Sequence, residues 1–380
     1  MIYLDNSATS WPKPRDVPAA MHTAIKKYGA NPGRSGHRMS MEISGKVFDC
    51  RCAAAELFGL SDPARVIFTC NATEALNLAI FGSLQPGDHV IITSMEHNSV
   101  IRPLTALGET GVEVSVARGN VFGFVSRAAV ESLIRPNTRL IVATHVSNVC
   151  GTINPIREIG EAAAAHGIPF LVDAAQSAGI LPIDMEKDHI TMLAAAGHKA
   201  LYGPQGTGLL CLAPGINPRP LKCGGTGSYS ENPAQPDELP DRYESGTLNA
   251  VGICGLLAGL QFIRRVGQDA LLEHDMALTR QLLEDLSVIP GVQIHGMTAL
   301  TGRTGVVSIT LDGRDCVEVA ARLDEEYGIA CRAGFHCAYP AHQTLGTEET
   351  GTVRLSVGAF NTPHELKIAS RAIANIAAGR

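Results

Sequence analysis

The sequence predicts an α/β protein with a mainly parallel seven-stranded sheet covered by helices, and a smaller α+β region behind it. Three observations carry this. Short apolar runs alternate with helical patterns through the first two thirds of the chain. Those runs are nearly continuous rather than alternating, as strands buried on both faces must be. From about residue 249 the pattern changes to shorter strands mixed with longer helices. The 380 residues suffice for two domains, expected over 15–255 for the larger, and over 1–14 with 256–380 for the smaller.

The elements follow in order. "RVIFT" (65–69) reads as a strand and "ATEALNLAIFGSL" as the helix after it; "DHVIITS" (88–94) is a strand leading into helical "SVIRPLTALGET". "VEVSVA" is a strand, "RAAVESLIR" a helix, and "RLIVATHVS" (139–147) a strand. "PIREIGEAAAAHG" is a helix ended by Gly167, followed by the strands "IPFLVDAAQ" (168–176), "ITMLAAAG" and "TGLLCLAP". The Pro/Gly-rich stretch 214–246 reads as one long irregular segment, a length often tied to function. Beyond it come two long helices, "LNAVGICGLLAGLQFIRRVG" and "ALLEHDMALTRQLLEDLS". Then follow "GVQIHG", "GVVSITL", the helix "CVEVAARLDEEYG", a loop "RAGFHCAYP" (332–340), "TVRLSVG" and a last helix starting near Pro363.

Composition narrows the function classes. Hydrophobic residues are 45% and charged residues 18%, which fits a globular protein, and a net charge of −6 offers no basic surface for nucleic acid. No apolar run reaches the ~18 residues of a membrane span. The N-terminal "MIYLDNSATSWPKP" lacks a basic stretch followed by an apolar run, so no secretory signal is expected. The ten cysteines are scattered and none forms C-x-x-C, which points to a reducing cytoplasm with the thiols other than Cys337 as buried apolar groups. A Cys/His cluster at Cys337, His336 and His342 lacks two further ligands at metal-site spacing, so no metal is expected.

In open parallel sheets, ligands gather at the carboxyl ends of strands. After "RVIFT" comes "CNATEAL", where a helix start with Thr73 would suit a phosphate, although an ordinary helix cap explains it equally well on its own. After "DHVIITS" come Glu96 and His97; after "RLIVATHVS", Asn148; after "IPFLV", Asp173 and Gln176. A carboxylate directly behind four apolar residues needs a cation or donors. After "ITMLAAAG" come His198 and Lys199, ahead of a glycine-rich turn. A desolvated lysine has a lowered pKa and can react with an aldehyde. A lysine for the aldehyde, a carboxylate for a pyridinium nitrogen and donors for a phosphate are the parts that pyridoxal phosphate needs. Cys337, on a loop beside Arg332 and His336, is placed to act as a thiolate, with His336 expected to lower its pKa.

"YLDNSATS", "NPGRSGH", "FTCNATEALN", "MEHNSV", "HVSNVCGTINPI", "VDAAQSAG", "GHKALYGPQGTG", "ESGTLN", "RAGFHCA" and "VRLSVGAFNT" together cover residues 3 to 362. With these stretches the chain resembles the cysteine desulfurases of the class V aminotransferase group, which have the fold-type I architecture of pyridoxal-phosphate enzymes. The resemblance implies that Lys199 bonds the cofactor aldehyde, Asp173 its pyridinium nitrogen and Gln176 its ring hydroxyl, while His97 stacks on the ring. It implies that Ala72, Thr73 and His198 hold the phosphate, with Thr247 of a second subunit, and that Asn148 lies near the ring hydroxyl and the substrate. Arg354 and Arg332 would contact the substrate, Arg354 as a bidentate carboxylate ligand, and Cys337 would accept the sulfur of L-cysteine. A homodimer and a sulfur-acceptor protein are implied as partners. The 17 positions from Cys337 to Arg354 (354 − 337) resemble the Suf-type branch, whose cysteine loop is short. One departure stands out: Ala196 occupies a position where the family usually has a phosphate-binding serine, a loss worth ~1.5–3 kcal/mol of cofactor affinity unless a donor such as Thr226 compensates. Selenocysteine lyase, cysteine-sulfinate desulfinase, a class V aminotransferase and a non-enzymatic sulfur-binding scaffold are the competing readings.

Overall fold

The computed structural model describes residues 1–33, 35–229 and 231–380. Arg34, within the "NPGRSGH" stretch, lies outside the described residues. In chain order the elements begin with β1 (Ile2–Tyr3), α1 (Asp16–Lys27), α2 (Arg38–Phe58), β2 (Val66–Thr69), α3 (Ala72–Ser83), β3 (His89–Thr93), α4 (Asn98–Gly108) and β4 (Glu113–Ala117). Next come α5 (Arg127–Glu131), β5 (Thr138–Thr144), α6 (Ile156–Ala165), β6 (Phe170–Asp173), β7 (Met192–Ala196) and β8 (Gly208–Leu212). After the irregular segment come α7 (Ala250–Val266), α8 (Gln268–Ser287), β9 (Val292–His295), β10 (Val306–Leu311), α9 (Cys316–Tyr327) and β11 (Ile329–Ala330). The chain ends through β12 (Arg332–Gly334), α10 (Tyr339–Leu345), β13 (Thr352–Ser356) and α11 (Pro363–Ala377).

Seven strands form one sheet in the order β2-β8-β7-β6-β5-β3-β4. Its pairs are parallel except at β8, which runs antiparallel to both β7 and β2. Side chains alternate across it as the pleat requires. Phe68, Ile91, Ile141 and Phe170 join one buried cluster, and Ile67, Val90, Leu140 and Leu171 join another. Each such side chain contributes about 1.5–3 kcal/mol on burial. Chain order reverses between β3 and β5, so the loops after these strands open a crevice at their carboxyl ends.

A second, four-stranded sheet (β12-β13-β10-β9) is antiparallel and has its own core with α8, α9 and α11. Thr362 and Glu365 close a reciprocal capping box at the start of α11. The apolar residues of α7 and Leu271 of α8 pack with the large sheet, whereas Leu278 and later residues of α8 pack in the second core. The second core therefore starts within α8 rather than at residue 256. The N-terminal segment belongs to both regions: β1 pairs with β11, Leu4 enters the second core, and Ser10 reaches back to the large sheet.

Two long helices went unpredicted, α1 and α2, although Ile43, Val47, Cys50, Ala54 and Phe58 recur at helical spacing in α2 and are all buried. The stretch "RAGFHCAYP" is not wholly a loop. Its first three residues are β12, paired with β13, and Tyr339 opens α10, leaving only residues 335–338 irregular. The 214–246 segment contains no helix or strand among its described residues, yet it is anchored. Glu244 accepts from Phe68 N at 2.6 Å and forms a buried ion pair with Arg51. In the acidic turn at 184–188, Asp188 is buried, accepting from Arg157 Nε at 2.8 Å and from Asp184 N at 3.1 Å. Nor are the nine other cysteines uniformly buried, since Cys70 and Cys223 are exposed and Cys52 and Cys331 are half-buried. Trp11 is half exposed and packs on Tyr3, with ring centroids 5.6 Å apart. Among the described residues no single helix is long and apolar enough to cross a membrane.

Candidate active site

The crevice holds a pocket of about 220 Å³. Ala72, Thr73, His97, Asn148, Asp173, Gln176, His198, Lys199, Arg332 and Arg354 all line it, so ten of the twelve sequence-derived candidates converge on one site. Of the other two, Cys337 stands at its mouth, in contact with Arg332. Thr247 is not brought to this pocket by its own chain; its hydroxyl accepts from Asn31 Nδ2 at 3.3 Å.

Lys199 follows β7 on a turn that the N-terminal segment straps down. Ser10 Oγ donates to Lys199 O at 2.7 Å, and His198 O accepts from Ser10 N, Thr9 Oγ1 and Lys13 Nζ. Gly197 permits the close approach, since a Cβ there would lie 2.2 Å from Thr207 Oγ1. Burial pushes the Lys199 ammonium down to about 8, with Asp173 opposing and Arg354 and Arg332 assisting. Asp173, at the end of β6, is buried and accepts from Ala175 N at 2.9 Å. Burial raises its carboxyl, while the Ala175 N–H and Lys199 hold it down. A cation on the open side of Asp173 would restore a fully ionised carboxylate.

His97 caps α4, and its Nδ1 accepts from Ser99 N at 3.1 Å. Burial and four neighbouring cations, Lys199 first, lower its pKa to about 4, so the ring is neutral and protonated on Nε2. Ser99 went unpredicted. Its Oγ lies 2.8 Å from both His97 Nδ1 and Thr73 Oγ1, which makes a hydroxyl chain beside the N-terminus of α3. The signal was its place in the first turn of a helix that begins at the pocket. Asn71 caps α3 by accepting from Glu74 N, and Gly208 lets β8 press against that cap, because a Cβ there would meet Asn71 C at 2.4 Å. Thr226 does not fill the place of the missing serine within its own chain, because its hydroxyl is engaged with Ser228. Ala196 itself lines the pocket, beside Thr73 and Ser99. Glu96, noted in the sequence without a role, is fully buried and pushed up to about 8 by burial; it accepts from Thr144 N at 2.8 Å. Gln176 turns its Nε2 to Ser7 O at 3.1 Å.

Arg354 is buried and already shared. Nη1 donates to Asn148 O at 3.0 Å and Nη2 to Asp5 Oδ1 at 2.8 Å, while Nε has no partner. A fork wholly free for a carboxylate is therefore not what the site presents; Nε and the remaining N–H positions are. Asp5 was missed because nothing in "YLDNS" announces an ion pair 349 positions away. Asn148 Nδ2 donates to His336 O at 2.7 Å, tying the pocket to the cysteine segment.

Cys337 is exposed, and both His336 (φ 49°) and Cys337 (φ 61°) hold left-handed backbone. Each such non-glycine residue costs about 1–3 kcal/mol and tends to sit where function demands it. Arg332 Nη2 donates to Cys337 Sγ at 3.3 Å. His336 does not supply the expected positive charge. It is buried, hydrogen-bonded through Nε2 to Thr352 Oγ1 at 2.9 Å, and burial with Arg354 holds its pKa far below the usual range, so it is neutral. Cys331, close before this segment, is pushed up to about 12 by burial and stays a thiol at neutral pH.

The residues fit pyridoxal 5′-phosphate. Lys199 and Asp173 face one pocket, the α3 N-terminus offers free N–H groups with the Thr73 and Ser99 hydroxyls nearby, and the buried His198 Nδ1 has no partner.

The model of the class V aminotransferase family matches residues 2–368. The chain is 34% identical to a probable cysteine desulfurase of Methanothermobacter thermautotrophicus, over 99% of this chain and 94% of the relative. It is similar to the apo structure of the cysteine desulfurase from Thermococcus onnurineus, with a TM-score of 0.90, 32% identity, and 100% and 95% of the two chains covered. It is also similar to the cysteine desulfurase CsdA (S-sulfonic acid) from Escherichia coli, with a TM-score of 0.88, 27% identity, and coverage of 99% and 94%. The chain belongs to the class V aminotransferase family.

Proposed function

From that membership we propose that this chain is a cysteine desulfurase: L-cysteine and the Cys337 thiol become L-alanine and a Cys337 persulfide. The observation that carries the reading is the pairing of Cys337 with Arg332. An exposed thiol on a left-handed turn touches a guanidinium that also lines the pocket of Lys199 and Asp173. Pyridoxal 5′-phosphate, when bound, draws electrons from the carbons of the substrate. The chain's own groups do the rest. Lys199, whose pKa is already lowered, takes the α-proton. Neutral His97 offers an uncharged face to the ring. Asp173 and Gln176 orient the cofactor ring, and Ala72, Thr73, Ser99 and His198 bind its phosphate. Asn148, Arg332 and Arg354 hold the substrate, with its carboxylate on the N–H positions that Arg354 does not share with Asp5. Arg332 Nη2, donating to Cys337 Sγ, positions the sulfur that attacks the substrate sulfur.

The arrangement is a homodimer in this proposal, because Thr247 stands apart from its own chain's pocket and is left to complete a partner's phosphate site. The division into a large cofactor-binding domain and a small domain is supported by the two cores, with Cys337 between β12 of the small sheet and Ala338, which packs in the large-sheet core. With only residues 335–338 irregular, the nucleophile has little reach. That supports placement in the Suf-type branch and delivery of sulfur to an acceptor protein or a reductant. Ten unpaired cysteines agree with a cytoplasmic setting.

Product analysis with L-cysteine and a reductant tests the reading. Equal alanine and sulfide from the wild-type chain, and neither from Cys337→Ala, are expected. Sulfide from Cys337→Ala at the wild-type rate overturns the assignment of Cys337. No alanine from cysteine, with turnover of selenocysteine, cysteine sulfinate or an amino-group acceptor, moves the chain to a sister activity.

A further inference from the structure

Ala196 leaves the pocket without the hydroxyl that the family's serine supplies. Among the described residues, four others that line the pocket carry hydroxyls: Ser7, Thr73, Ser99 and Thr144. Two of them are turned elsewhere. Thr144 Oγ1 donates to Val146 O at 3.1 Å, and Ser7 stands with Gln176, whose Nε2 donates to Ser7 O at 3.1 Å. Thr73 and Ser99 meet at the N-terminus of α3, their hydroxyl oxygens 2.8 Å apart. Thr73 belongs to α3 itself, whereas Ser99 comes from the first turn of α4. In the sheet, β3, which leads into α4, is separated from β7 by β6 and β5. Ser99 therefore reaches this place from a different strand end than residue 196 does.

His97 fixes the direction of these hydrogen bonds. Its Nδ1 accepts from Ser99 N at 3.1 Å, so this nitrogen carries no proton. Ser99 Oγ lies 2.8 Å from the same nitrogen and can only donate to it. A serine hydroxyl has one proton, so Ser99 Oγ must then accept from Thr73 Oγ1. The chain of hydroxyls runs from Thr73 to Ser99 to His97, with both protons aimed at the imidazole. A phosphate dianion offers acceptors only, and its hydrogen bonds are charge-assisted. Ser99 can give it a proton only by releasing His97 Nδ1. The imidazole then keeps the Ser99 N–H as its remaining donor at that nitrogen.

We infer that Ser99 stands in for the serine that position 196 lacks, its hydroxyl turning from His97 Nδ1 to the cofactor phosphate. One residue thereby joins the phosphate end of the site to the histidine at the ring end. Only hydrogen bonds change, and each proton stays on its own oxygen. Ser99 is a binding residue for the phosphate and a positioning residue for His97, whose Nδ1 has two donors before phosphate binds and one afterwards. The inference deepens the phosphate site proposed above and rests on the cofactor phosphate lying at the N-terminus of α3.

The test adds inorganic phosphate to cofactor-free protein carrying ¹⁵N-labelled histidine, with the His97 signal identified by its loss in His97→Gln. Saturating phosphate is expected to move the His97 Nδ1 resonance of the wild-type chain downfield, as a ring nitrogen moves on losing a donor. In Ser99→Ala the resonance should stay where it is. An unmoved wild-type resonance overturns the inference, and so does an equal shift in the variant. Ser99→Ala should also bind pyridoxal 5′-phosphate about tenfold more weakly, read from the absorbance of the complex on titration. Adding Ala196→Ser to that variant should restore the affinity, which a merely structural role of Ser99 would not allow. Undiminished affinity in Ser99→Ala, or a loss that Ala196→Ser leaves in place, overturns the replacement. Should Ser99→Ala fail to fold, the wild-type resonance decides alone. None of these readouts involves sulfur, so failure of the desulfurase reading leaves the test intact.

Discussion

Lys199 and Cys337, the two groups on which the proposed reaction depends, are held in opposite ways. Lys199 sits on a turn strapped by Thr9, Ser10 and Lys13, with its ammonium desolvated and its backbone oxygen bonded. Cys337 is exposed on left-handed backbone; its oxygen accepts from Asn98 N at 2.7 Å and its sulfur has the Arg332 guanidinium. In the proposed reaction the lysine must stay where cofactor and α-carbon meet, so position is worth the cost of burying a charge. The thiol, in the same proposal, meets first the substrate sulfur and then an outside acceptor, which suits its exposed place beside the Arg332 guanidinium. Both arrangements lower stability, one through desolvation and the other through backbone strain.

The comparison can be broken most severely at the lysine. Lys199→Ala should abolish alanine, sulfide and α-proton exchange together, by about 10³-fold or more, in assays of all three. Cys337→Ala should cut sulfide release by about 10²-fold or more while leaving cofactor absorption and α-proton exchange at wild-type levels. Loss of exchange in that variant would mean that the two sites are not separable.

Stability sharpens the contrast. The folded-state pKa of Lys199 is lowered, so below about pH 8 the cofactor-free chain carries the whole cost of burying the charge. That cost fades as pH rises towards the unfolded value near ~10.4. Lys199→Met should therefore stabilise the cofactor-free chain by about 2 kcal/mol at neutral pH and by much less near ~10.4, as read by urea unfolding at both pH values. Arg332→Ala should lower sulfide release about tenfold with cofactor absorption unchanged, because the guanidinium that holds Cys337 Sγ in place is gone. An unchanged rate would remove Arg332 as the group that positions the thiol. The smallest effect belongs to the strained turn: Cys337→Gly should be more stable than Cys337→Ala by about 0.5–1 kcal/mol, because glycine adopts the left-handed backbone without penalty.

Most of the sheet was legible because each strand is a short apolar run buried on both faces, and each candidate that follows such a run on the large sheet was found at the pocket. Helices α1 and α2 were passed over despite the helical spacing of Ile43, Val47 and Cys50. The short β12 was hidden by glycine and by its register against β13, where Arg332 lies opposite Arg354. That pairing brings two arginines to one pocket wall, and three residues of strand give no periodicity to detect it.

By itself the sequence determined the candidate groups and their order along the chain: a histidine, an acid and a lysine behind buried strands, and then a thiol beside an arginine. Residue type and strand-end position are local properties, and local chemistry can be read one segment at a time. Only the tertiary structure decided which charges are compensated. It neutralised His336 by burial, gave Arg354 to Asp5, left Asp275 without a partner, and put Ser99 beside Thr73. Protonation and pairing depend on what else is within a few ångströms, and in a folded chain most of those neighbours come from distant parts of the sequence.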